Sequence, residues 1–173
     1  MSKKALIVSD MLNDFIDENV ALYCGETVHA IVPFIRERIE RYRRQGAAVI
    51  YLRDAHDAHD EEFEKFPPHC VAGTWGSEVI SELAPIAGEP VVNKKRYSGF
   101  YGTDLEKILL EKAIGAVEVV GVCTSICVMD TVAGLANRGY SISVPVKGVA
   151  DFDAKFHEFA LKRMAQLYGA RII

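Results

Sequence analysis

Val117-Glu118-Val119-Val120-Gly121-Val122-Cys123-Thr124-Ser125-Ile126-Cys127 reads as a buried strand that gives way to a helix near Thr124 and Ser125. The pattern places Cys127 in the first turn of that helix. Unpaired backbone N–H groups and the positive end of the helix dipole gather there, which favours thiolate over thiol and makes Cys127 a candidate nucleophile.

The flanking sequence repeats the alternation of strand and helix. Ala5-Leu6-Ile7-Val8 is a continuous apolar run ending in Ser9-Asp10, as expected of a strand covered on both faces. Between residues 27 and 44, Val28, Ile31, Val32, Ile35 and Ile39 recur at helical spacing, and Gly46 is a natural stop. Residues 47–52 read as a second strand followed by Asp54, and residues 90–92 as a weaker third ending close to Lys94. Residues 54–75 have no sustained period and are rich in His, Asp, Glu and Pro; a short helix is predicted near 77–83. Helices predicted over 105–113, 127–138 and 153–167 alternate with strands over 116–122, 140–146 and 170–173. This order predicts one α/β domain over residues 1–173, a three-layer α/β/α architecture around a mostly parallel sheet of about six strands. Ligands in such sheets bind beyond the carboxyl ends of the strands, and Asp10, Asp54, Lys94 and Cys127 all fall at or just after predicted strand ends.

Composition narrows the function. Of the 173 residues half are apolar and a quarter charged, enough for a substantial core. A net charge of −4 provides no basic face for nucleic acid. No apolar run is long enough to span a membrane, and the basic start Met1-Ser2-Lys3-Lys4 lacks the rest of a signal peptide, so a cytoplasmic location is expected. There Cys24, Cys70, Cys123 and Cys127 stay reduced. G-x-G-x-x-G and G-x-x-x-x-G-K-[ST] are both missing, which argues against dinucleotide and nucleoside-triphosphate binding of the common kinds.

Two constellations carry chemistry. A cysteine attacking a carbonyl must lose a proton and the leaving group must gain one; Asp10 can make both transfers, and Lys94 between carboxylate and thiol stabilises their charged forms. Taken singly, each has an ordinary alternative: Asp10 as a turn cap, Lys94 as a solvated neighbour of Lys95 and Arg96, Cys127 as a small core residue. The second constellation is Asp54-Ala55-His56 followed by Phe66-Pro67-Pro68-His69-Cys70, whose carboxylate and imidazole donors suit zinc, manganese or iron. Its alternative is a solvated acidic loop. Phe15, Phe66, Trp75, Tyr97 and Phe100 are candidates to line a pocket for a flat ring. Cys123 and Cys127 also suggest a thiol redox module, although C-x-x-x-C is not the C-x-x-C spacing of such sites.

These segments resemble, in order along the chain, those of the isochorismatase-like cysteine hydrolases. Residues 8–15, Val-Ser-Asp-Met-Leu-Asn-Asp-Phe, resemble the V-D-x-Q-N-D-F opening. Residues 94–105 are similar to K-x-x-Y-S-x-F-x-G-T-x-L, and residues 121–128 to the G-V-x-T-x-x-C-V nucleophile turn. Asp54-Ala55-His56 with Pro67-Pro68-His69-Cys70-Val71-Ala72-Gly73-Thr74 resembles the metal-binding signature of the nicotinamidases, also called pyrazinamidases. Ser9 and Leu12 replace the usual Asp and Gln, and Phe66 the tryptophan often found before Pro-Pro-His.

The resemblance implies Asp10 as general acid and base, Lys94 as the middle of the triad and Cys127 as nucleophile. It implies backbone N–H groups of Cys123 and Cys127 as the oxyanion hole, a cis peptide at Val122-Cys123, and Phe15 and Phe66 beside the substrate ring. It also implies Asp54, His56 and His69 as ligands of a divalent metal, zinc foremost, that holds a pyridine nitrogen, with Glu62 or His59 as a further ligand. The activity implied is hydrolysis of nicotinamide to nicotinate and ammonia, a step of NAD salvage, by a protein that self-associates in some relatives as a homo-oligomer. The alternatives are a related amidohydrolase acting on a carbamoyl or ureido compound and a non-catalytic metal or redox module.

Overall fold

The computed structural model describes residues 3–173; Met1 and Ser2 of the basic start lie outside the described residues. Strands β1 (Lys3–Ser9), β2 (Ala48–Asp54), β3 (Val91–Lys94), β4 (Ile114–Gly121), β5 (Ser141–Val144) and β6 (Arg171–Ile172) form one sheet in the order β3-β2-β1-β4-β5-β6, with every pairing parallel. Helices α1 (Asn13–Ile16), α2 (Thr27–Arg44), α3 (Leu105–Glu111), α4 (Met129–Ala136) and α5 (Ala154–Tyr168) complete the α/β/α layers expected from the sequence.

The continuous apolar runs are explained by the two covered faces. Side chains alternate along a strand, so Leu6 and Val8 of β1, Val49 and Tyr51 of β2 and Val120 of β4 enter one core with Val28, Ile31, Ile35 and Ile39 of α2. Ala5, Ile7, Ile50, Leu52, Val117 and Val119 enter the opposite core with Leu105, Leu109, Val132, Leu135, Ala160 and Met164. Glu118, the charged residue in this run, is met by a bidentate Arg38 from α2, with Nε 2.7 Å from Oε1.

The strand order reverses between β1 and β4, and such switch points open a crevice at the carboxyl ends. Gly121 makes this crevice narrow. It has φ +117°, and a Cβ there would lie 1.9 Å from the Ser9 carbonyl oxygen. Glycine therefore lets β4 end against β1, where the Val122 N–H donates to Ser9 O at 3.0 Å. Asp10, after β1, and residues 123–127, after β4, are brought side by side.

Two local predictions are corrected. Residues 77–83 form no continuous helix: single 3₁₀ turns at Trp75–Ser77 and Ser81–Leu83 flank Val79, whose backbone bridges Leu12. Hydrogen bonds from Asn13 N to Glu78 O and from Ile80 N to Met11 O hold that stretch extended. Cys127 lies, as expected, in the first turn of a helical stretch that begins at Thr124, but that turn is not α-helical. Thr124–Val128 is a wider π-helical turn, with Val128 N donating to Cys123 O at 3.2 Å, and α4 begins only at Met129. The Val122-Cys123 peptide is cis. No helix among the described residues is long and apolar enough to cross a membrane.

Candidate functional site

Asp10, Lys94 and Cys127 meet in the crevice. Lys94 Nζ lies 3.0 Å from Asp10 Oδ2 and 3.4 Å from Cys127 Sγ, and all three side chains are buried. It also lies 2.6 Å from Asp54 Oδ1. Strand register makes that last contact, because Asp54 of β2 is paired with Lys94 of β3. Asp10 is held at φ +52°, a conformation aspartate tolerates better than most residues, by Ser9 Oγ donating to Oδ2 and Asp54 N donating to Oδ1, each at 3.0 Å. Ser9, which replaces the usual aspartate of the motif, thus supplies a hydrogen bond to the acid.

Buried charge sets the proton affinities. Burial pushes the Asp10 carboxyl up to about 6; Lys94 pulls it down and Asp54 adds to the rise. Burial disfavours the Lys94 ammonium, yet Asp10, Asp54 and Cys127 carry its pKa well above the usual lysine range. Burial also pushes the Cys127 thiol well above its ordinary value; Lys94 lowers it, while Asp10 and Asp54 raise it again. Burial and the two carboxylates oppose the thiolate expected at a helix start, and the Lys94 ammonium favours it.

The turn that carries Cys127 is pinned from the β5–α5 side. Thr124 N donates to Ala150 O at 2.9 Å, Ser125 N to Asp151 Oδ2 at 2.7 Å, and Thr124 Oγ1 contacts His157 Nδ1 at 2.9 Å. The Cys123 N–H finds no protein acceptor among the described residues.

Asp54, His56 and His69 converge at the same end of the sheet, one ligand atom of each within 4.8 Å of the others, and all three are buried. His56 Nδ1 lies 3.2 Å from Asp60 Oδ2 and His69 Nδ1 2.8 Å from Pro67 O. Both acceptors require a proton on Nδ1, which leaves the Nε2 lone pairs free. His56 Nε2 is buried with no hydrogen-bond partner. An orphaned buried acceptor beside a carboxylate and a second imidazole fits a divalent cation. Glu62 is buried and groups with His56 and Asp60. His59 is exposed and joins neither group, which corrects its candidacy.

A cavity of about 390 Å³ joins the two groups, lined by Phe15, Phe66, Tyr97, His69, Cys123 and Cys127 among others. It lies in the size range of small-ligand pockets. Trp75 and Phe100 do not line it. Trp75 is largely exposed, and Phe100 packs on Gly134 of α4 under Arg138, 4.2 Å from its ring.

Several residues carry the site without a local signal in the sequence. Asp60 orients His56 and is itself held by Arg96 Nη1 at 3.0 and 3.1 Å. Phe63 packs its ring 5.5 Å from both His56 and His69. Asp14 Oδ2 accepts from Cys70 N at 2.7 Å, tying α1 to the residue after His69. Asp60 at i+4 from His56 is the one signal readable in advance, obscured by the six acids of residues 54–64.

The isochorismatase domain model matches residues 4–173. The crystal structure of a nicotinamidase/pyrazinamidase from Bacillus subtilis is 38% identical with a TM-score of 0.93, covering 98% of both chains. A pyrazinamidase of Pyrococcus horikoshii in complex with zinc is 30% identical with a TM-score of 0.92, over 99% of this chain and 98% of that one. An N-carbamoylsarcosine amidase from Thermoplasma acidophilum is 37% identical with a TM-score of 0.88, over 98% and 95%.

Proposed function

The chain belongs to the isochorismatase family, and on that premise we propose that it is a metal-dependent nicotinamidase, hydrolysing nicotinamide to nicotinate and ammonia through a cysteine thioester as a step of NAD salvage. The observation that carries this reading is the position of Lys94 Nζ. It touches Asp10 and Cys127 on one side and Asp54, of the metal-binding group, on the other. Nucleophile and metal group thus face one cavity.

Asp10 takes the proton of Cys127 Sγ as the sulfur attacks the amide carbon. Charge on the amide oxygen develops against the backbone N–H groups of Cys123 and Cys127. Asp10 then protonates the departing nitrogen, and ammonia leaves. Water, giving a proton to Asp10, opens the thioester; nicotinate and the thiol are restored. Lys94 stays charged throughout, held by two carboxylates. Phe15 and Phe66 confine the ring. Asp54, His56 and His69, with Glu62 at the same edge, would hold a divalent cation, zinc foremost, which would supply a Lewis-acid site for the ring nitrogen lone pair.

A second reading, hydrolysis of a carbamoyl or ureido compound, is favoured by the likeness to the Thermoplasma acidophilum amidase. Ammonia release from nicotinamide, pyrazinamide and small carbamoyl compounds, with metal analysis on the same sample, separates the two. The expected result is fastest turnover of nicotinamide by metal-loaded protein and its loss on chelation. Ammonia from a carbamoyl compound but none from nicotinamide selects the second reading. Normal turnover of nicotinamide by chelated protein removes the metal role from Asp54, His56 and His69.

A further inference from the structure

Two thiols that the proposed reaction does not use face each other across the wall of the same cavity. Cys24 lies between α1 and α2, Cys123 directly beyond β4, and their Sγ atoms are 3.3 Å apart although 99 residues separate them in the chain. Both are buried from bulk solvent, yet both line the cavity that leads to Cys127. A small solute that enters the cavity meets them there. Cys70 stands apart, its Sγ 3.9 Å from Gly76 O.

We infer that Cys24 and Cys123 are an oxidisable pair that a hydroperoxide converts to a disulfide. With hydrogen peroxide, one thiol sulfur takes an oxygen to become a sulfenic acid and the first water leaves. The second thiol sulfur attacks the sulfenic sulfur; the S–S bond forms, the S–O bond breaks, and the second water leaves with the thiol proton. The two thiols lose two hydrogens and two electrons, and the peroxide is reduced to two waters. The sulfurs must close by about 1.3 Å to reach a bond length of about 2.05 Å. Residues 17–26 belong to no helix or strand, so the backbone at Cys24 can follow its sulfur without breaking a helix or a sheet ladder. The Cys24 N–H donates to Phe15 O at 3.0 Å, so the movement reaches Phe15, while the other end pulls on Cys123. The disulfide therefore deforms both sides of the cavity. The Cys24 contact and burial raise the Cys123 pKa.

The test uses metal-loaded Cys127→Ser protein, in which no nucleophile competes for oxidant, beside the Cys24→Ser/Cys127→Ser double variant. Each is exposed to hydrogen peroxide and followed by intact mass and by peptide mapping. The single variant is expected to lose two hydrogens, regain them with dithiothreitol, and yield a Cys24–Cys123 cross-linked peptide; the double variant gains oxygen or stays unchanged. Oxygen addition without the two-hydrogen loss in the single variant, or a two-hydrogen loss that persists without Cys24, overturns the assignment. Because the disulfide deforms both sides of the cavity, nicotinamide binding to the oxidised single variant is expected to weaken about tenfold or more, equivalent to about 1.4 kcal/mol. Unchanged affinity overturns the coupling to the cavity. If the reduced protein binds no nicotinamide, the proposed function fails, while the mass measurement still decides the thiol pair.

Discussion

Asp10, Lys94 and Cys127 follow or end paired strands, whereas His56 and His69 hang from the irregular stretch between β2 and β3. In the first region, position follows from sheet register. Asp54 pairs with Lys94, Ser9 with Gly121, and the ends of β1 and β4 are drawn together by a residue without a side chain. In the second region, position follows from individual polar contacts. Asp60 and Pro67 O orient the two imidazoles, Asp14 holds Cys70, and single bonds from His56 N to Cys70 O and from Ala72 N to His56 O close the loop. The strand-end groups cannot move without the sheet, while the loop groups can be disturbed one contact at a time. Asp54 alone belongs to both, through Lys94.

The comparison breaks most sharply at Cys127. Cys127→Ala is expected to lower amide hydrolysis by about 10⁴-fold or more while the metal content and melting temperature stay at the wild-type values. Hydrolysis near the wild-type rate would remove Cys127 from the chemistry. Lys94→Met tests whether the strand-end region is tied to global stability. It leaves Asp10 and Asp54 buried without their cation, so unfolding in urea is expected at a stability lower by about 3–5 kcal/mol. An unchanged urea midpoint would mean that the sheet does not depend on the charge balance.

In the loop, effects should be local. Asp60→Asn removes the carboxylate that keeps the proton on His56 Nδ1, and zinc affinity measured by chelator competition is expected to fall about 10–100-fold. The urea midpoint of the metal-free protein should barely move; a large drop would assign Asp60 to the fold instead of to His56. The smallest effect is expected at His59, exposed and outside both ligand groups. Zinc affinity of His59→Ala should stay within about twofold of wild type, inside the ordinary range for surface substitutions. A loss equal to that of Asp60→Asn would make His59 a ligand.

The strands, the alternating helices and the placement of Asp10, Lys94 and Cys127 at strand ends are legible because each rests on a local pattern: an apolar run, a helical period, an acid at the end of a run. The extent of α2 is readable to the residue for the same reason. The stretch at 77–83 was not, because a backbone bridge to Leu12, distant in sequence, competes with local helix formation. Trp75 and Phe100 were indistinguishable in sequence from Phe15 and Phe66, since aromatic side chains serve cores and surfaces as well as pockets.

The residue types and their order along the chain were enough to specify a parallel α/β sheet, an acid, a lysine and a cysteine at its carboxyl edge, and a loop of carboxylate and imidazole donors. Periodicity and strand-end position are properties of neighbouring residues, so they survive in one dimension. Tertiary structure alone decided that Lys94 is shared with Asp54, that Glu62 and not His59 lies beside the histidines, that Cys24 lies against Cys123, and that Cys127 is buried beside one ammonium and two carboxylates. Each of these depends on strand register or on burial. Register joins segments tens of residues apart, and burial sets how strongly charge is disfavoured, so neither is fixed until the sheet has formed.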